Sequence, residues 1–86
     1  MMRRHYDWVA LAARLRARPS VWVLAFPNHP ARLEKRIRLR QHPDLRFDDG
    51  VIEARILHKH TPTDGTPHGD VWVRWVPTPT DEQERP

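Results

Sequence analysis

Eighty-six residues make one small domain with a modest core, too small to enclose a substrate easily. The absence of cysteine excludes a disulfide framework and a thiolate metal site, and no apolar run nears the ~20 residues that span a bilayer. The net charge of +4 hides an uneven split, with eleven basic and three acidic side chains in residues 1–46 against four basic and eight acidic in residues 47–86. A basic half joined to an acidic half points to a polyanion partner or to self-association. All but Lys35 and Lys59 of the basic residues are arginine, the better bidentate phosphate ligand; a GC-rich genome produces the same bias.

Residues 1–6 read as a flexible basic leader. Asp7 is an N-cap, and Trp8, Leu11, Ala12 and Leu15 recur on one face of a first helix. Arg14, Arg16 and Arg18 complement its dipole, and Pro19 stops it. These arginines interrupt what would otherwise resemble a secretory leader, and no small-residue cleavage site follows. Next comes SVWVLAF, residues 20–26, apolar on both alternating sets, as in a central or doubly covered strand. Asn28 or His29 caps a second helix with Pro30 in its first turn. That helix runs to Gln41 and is ended by Pro43. LRFDDGVIEARILHKH reads as a hairpin about Asp49–Gly50, a short strand followed by one in which Ile52, Ala54 and Ile56 alternate with Glu53, Arg55 and Leu57. Residues 61–69 are loop by composition. DVWVRWV, residues 70–76, is the last strand, with Trp72 and Trp75 on opposite faces. Residues 77–86 read as a disordered acidic tail.

The order helix-strand-helix-strand-strand-strand specifies an α+β domain over residues 7–76. Its architecture is a two-layer sandwich with both helices on one face of a small, mainly antiparallel sheet. Apart from a missing first strand, this order is similar to that of the Alba-type chromatin proteins. DWVALAARLRARPSVWVL, RIRLR, FDDGVIEAR and VWVRWV together resemble small actinobacterial and actinophage proteins. Those have a Trp-Leu-Ala-Arg-Leu helix, a basic Ile-Arg helix, a Phe…Glu-Ala-Arg strand and an aromatic last strand. Val51–Ile52 stands where that pattern has an aromatic. The resemblance implies a cytoplasmic accessory protein of a phage or its high-GC host and assigns no site residues.

The second helix is the leading candidate site. Leu33 and Ile37 form its apolar stripe. Arg32, Lys35, Arg36, Arg38 and Arg40 cover most of the rest, the pattern of a phosphate-contacting helix or of a merely solvated face. Leu39 interrupts the basic arc. Arg14 and Arg18 extend the same field if the two helices share a layer. The competing surface is the last strand, where Trp72 or Trp75, with Leu39, anchors a protein partner or a second copy. His58, His60 and His68 raise a zinc reading, but H-x-H at a strand end is weak and the three read better as exposed loop residues. Ser20 sits in an apolar strand, Asp48 and Asp49 in a turn, and the glycines are isolated. No catalytic residue, metal site or cofactor is assigned; the expectation is a non-enzymatic DNA- or RNA-binding protein.

Overall fold

The computed structural model describes residues 6–63 and 65–78. The elements are α1 (Trp8–Arg16), β1 (Val23–Pro30), α2 (Arg32–Arg38), a 3-10 turn (Pro43–Leu45), β2 (Gly50–His60) and β3 (His68–Pro77). The α+β layout is the expected one, two helices against a three-stranded antiparallel sheet of order β1-β3-β2. No helix among the described residues is long and apolar enough to cross a membrane. Of the expected leader, residues 1–5 lie outside the described residues. Tyr6 belongs to the fold, stacked on Trp8 at 5.1 Å and hydrogen-bonded to His29 Nε2 at 2.8 Å. Of the expected tail, residues 79–86 lie outside the described residues. Pro77 still pairs with Gly50, and the Thr78 N–H donates to the Asp49 carbonyl at 3.0 Å.

The sheet order places β3, not β1, in the centre. β2 and β3 form a hairpin closed by residues 61–67, in which Gly65 takes φ 85° and donates to the Pro62 carbonyl at 2.8 Å. A side chain resists that left-handed conformation and glycine does not. β1 adds to the other edge of β3, so β1 and β2 run parallel with β3 between them and α2 in their crossover, a split β-α-β unit. The short strand expected before Asp49–Gly50 is absent. Leu45 instead ends the 3-10 turn Pro43–Leu45, where the Asp44 N–H donates to His42 Nδ1 at 3.0 Å, and drops into the core, and residues 46–49 follow as loop. α2 begins later than expected because Pro30 and His29 still pair with His68 and Gly69 in the sheet. Asn28, at φ 46°, sits in a bulge and caps nothing; Ala31 opens the helix without a side-chain cap.

α1 is capped as expected by Asp7, which accepts from the Ala10 N–H at 2.9 Å, and buries Trp8, Leu11, Ala12 and Leu15. These join Leu33, Ile37, Leu45, Ile52, Val71, Val73 and Trp75 in one core. Trp75 is 3% exposed, so it belongs to the core and offers nothing to a partner. Phe47 meets its ring edge-on at 5.4 Å, and the Arg16 guanidinium lies 4.3 Å over it. A Cβ on Gly50 would fall 2.5 Å from the same ring, which is why β2 begins on glycine. Arg16, expected among the outward arginines, is turned inward and donates through Nε and Nη2 to the two Asp49 oxygens at 2.9 and 3.0 Å.

The guanidinium covering Trp75 contributes by stacking and by the apolar area under its stem. Arg16→Ala should therefore lower stability by about 1–2 kcal/mol in urea denaturation, with Arg16→Lys in between. The Arg16 hydrogen bond also holds the Asp49 carboxyl below its ordinary pKa. A carboxyl depressed in the fold adds stability above its unfolded pKa, and that stability is lost as pH falls through the folded value. Thermal melts should accordingly decline below about pH 4, and Asp49→Asn should make that decline shallower.

Candidate nucleic-acid interface

α2 exists as a helix because Leu33 and Ile37 are pinned in the core at 3% and 0% exposure. With only seven residues it would not hold in isolation, where helices shorter than ~12 residues are marginal. That pinning turns Arg32, Lys35, Arg36, Arg38 and Arg40 out to solvent, all exposed. Arg38 is half committed, since its Nε donates to Glu34 one turn back at 2.9 Å. Arg32, Lys35, Arg36 and Arg40 have no acidic partner among the described residues. Two described acids that might have neutralised them are engaged elsewhere. Glu53 accepts from Arg74 Nε at 2.7 Å, and Asp70 is held by His58 at 3.1 Å and by the Asn28 N–H at 2.9 Å.

The helix ends earlier than Pro43 requires, and the reason is Arg40. The Arg40 N–H donates to the Ile37 carbonyl and the Gln41 N–H to the Arg36 carbonyl, each at 3.0 Å, with Arg40 at φ 50°. This is a Schellman closure, whose left-handed position is usually glycine. An L-residue there costs roughly 1–2 kcal/mol. Backbone strain of this kind concentrates at functional sites, and here it carries a cation.

The basic residues divide between two clefts. Arg32 and Arg36 line one of about 250 Å³ with Tyr6, His29 and Pro30. Arg38 and Arg40 line another of about 200 Å³ with Trp22 and Glu53 at the β2 edge. Trp22, from the doubly apolar SVWVLAF, lies on the sheet face away from the helices. There the Arg55 and Arg74 guanidinium groups sit 4.4 and 4.7 Å from its ring. Four arginines thus surround one half-buried tryptophan. Sequence reasoning missed this group because SVWVLAF is apolar on both sides. The signal available was the outward register of Arg55 and Arg74, which share a face with Trp72.

The other candidate residues are scattered. Arg14 lines a separate groove between α1 and β1, and Arg18 is exposed beyond the helix end; neither lines either of the two α2 clefts. Leu39 is 49% exposed and flanks them. Trp72 is half-buried on the outer face, opposite Leu24 on one side and Arg55 on the other, with its Nε1 shielded and lacking an acceptor among the described residues. Since β3 is central, the last strand has no edge on which another sheet could add. A left-handed His58 (φ 54°) in the β2 bulge breaks the H-x-H alternation. His58 bonds Asp70, His60 bonds Asn28 at 3.1 Å, and His68 bonds the Thr66 carbonyl at 2.8 Å. The described residues contain no group of three or more His, Cys, Asp or Glu placed to hold a metal ion. The Asn28 N–H first, and His58 second, hold the Asp70 carboxyl below its ordinary pKa.

Comparison with protein-family models, curated proteins and solved structures finds no match.

Replacing Arg40 separates strain from binding. Arg40→Gly should raise stability by up to about 1 kcal/mol, the relief of the left-handed cost less the added freedom of the unfolded chain. The same variant removes one exposed cation, so any polyanion affinity carried by α2 should fall while stability rises in paired melting and titration measurements.

Proposed function

We propose that this protein is a small, non-enzymatic nucleic-acid-binding accessory protein that grips phosphates through α2 with low sequence specificity. The observation that carries this reading is the set of four exposed cations, Arg32, Lys35, Arg36 and Arg40, without acidic partners among the described residues. Cations left without a described acidic partner are available to a polyanion. The Trp22 group beside Arg38 and Arg40 adds an aromatic and guanidinium surface suited to stacking on unpaired bases. Base-edge readout is not built in, so phosphate contact dominates. The resemblance of the sequence to actinobacterial and actinophage proteins supports a cytoplasmic role in a phage or its host.

Fluorescence titration of labelled DNA and RNA across salt is the test. With four phosphates neutralised, log K should fall against log salt with a slope near about −3.6 on duplex DNA and less steeply on single strands. Arg32→Glu, Lys35→Glu and Arg36→Glu together should abolish binding while the circular dichroism spectrum stays unchanged. Absence of binding at low salt would sink the reading.

A further inference from the structure

The outer edge of β1 is a second surface with a defined shape. β1 is a terminal strand of the sheet, and no described strand pairs with its other side. Exposed strand edges are normally blunted by charge, proline or bulges. In β1 such protection begins only at the bulge beyond Leu24, continuing through Pro27, the left-handed Asn28 and Pro30. Before it, Val23 and Leu24 are 39% and 40% exposed, as is Val21 just ahead of the strand at 45%, and residues 19–31 contain no charged side chain at all. The opposite sheet edge differs, since β2 carries Glu53, Arg55 and Lys59 and packs against α2.

Beside the bare edge runs a groove of about 450 Å³ between α1 and β1, floored by Trp8, Leu15 and Phe26. Among the described residues, the charged ones lining it are Asp7 and Arg14. They stand two helical turns apart on one side of α1, with opposite sign. A surface that carries both members of a charge pair on one helix face is complementary to itself under a two-fold rotation.

We propose that the β1 edge pairs antiparallel with the β1 edge of a second copy of this chain. The two-fold axis stands normal to the sheet near Val23. One continuous sheet of six strands results, with all helices on one side. The rotation reverses α1, so Asp7 of each copy faces Arg14 of the other across the joined grooves. Val21, Val23 and Leu24 leave water together, which removes the unprotected edge. The two α2 helices are carried to the outer ends of the sheet, beyond five strand spacings, about 24 Å. The pairing does not depend on the nucleic-acid reading.

The test is sedimentation equilibrium of the nuclease-treated full chain at physiological and high salt. A species of twice the 10.2 kDa chain mass is expected at both. Leu24→Lys and Val21→Lys each bring like charges together near the axis and should raise the dimer dissociation constant about tenfold or more. Arg14→Asp should weaken the dimer, and Val9→Lys, exposed outside the groove, should leave it unchanged. In the unmodified protein, amide exchange at residues 21–24 should slow as concentration rises, which provides a readout even if a variant unfolds. A monomer at every concentration overturns the proposal. So does a dimer that dissolves in high salt, or one indifferent to both lysine substitutions.

Discussion

The row Val71, Val73 and Trp75 on β3 is the constraint on which the rest of the structure depends. All three are almost wholly buried, and every other element is placed by covering them. Ile52, Ala54 and Ile56 of β2 lie directly opposite in register. α1 closes the row with Trp8, Leu11 and Leu15, and α2 with Leu33 and Ile37. At the Trp75 end the core is too thin for apolar cover alone. Arg16 completes it, neutralised by Asp49 and stacked on both Phe47 and Trp75 at 5.1 and 4.3 Å. An arginine that looks like surface charge in the sequence is thus part of the roof of the core.

Charge follows from the same packing. The carboxylate–arginine pairs among the described residues follow from strand register, helix spacing and the meeting of α1 with the turn before β2: Glu53 with Arg74 across β2 and β3, Glu34 with Arg38 along α2, Asp49 with Arg16 just before β2. α2 projects its remaining cations where no described acid reaches. The basic field is therefore narrower than composition implied. It is densest on α2 and around Trp22; beside α1, Arg16 is taken up by Asp49 and Arg14 stands apart in the groove toward β1.

Among the described residues, four non-glycine ones hold positive φ: Ser20, Asn28, Arg40 and His58. Each lies where a regular element is interrupted. Ser20 turns the chain from α1 into the sheet and donates to the Trp75 carbonyl at 2.8 Å. Asn28 and His58 mark the bulges beside Asp70, which bonds to both. Asn28 and His58 are thus fastened by a carboxylate, and Arg40 by the helix closure alone.

By itself the sequence determined the α+β class, the apolar face of α1 with its Asp7 cap, the exposure of the α2 cations and the alternation that buries Val71, Val73 and Trp75. These depend on local periodicity and short-range hydrogen bonding, which residue order encodes directly. Only the tertiary structure decided that β3 is central and β1 an edge, that Leu45 and Phe47 turn inward in a segment that forms no strand, that α2 stops at a left-handed Arg40, that Arg16 roofs the core and that Trp22 lies on the outer sheet face. Each of those outcomes depends on which distant residues meet. SVWVLAF is as apolar as a central strand, but β3 is already paired with β2 through their hairpin, and β1 is left the one remaining side of β3.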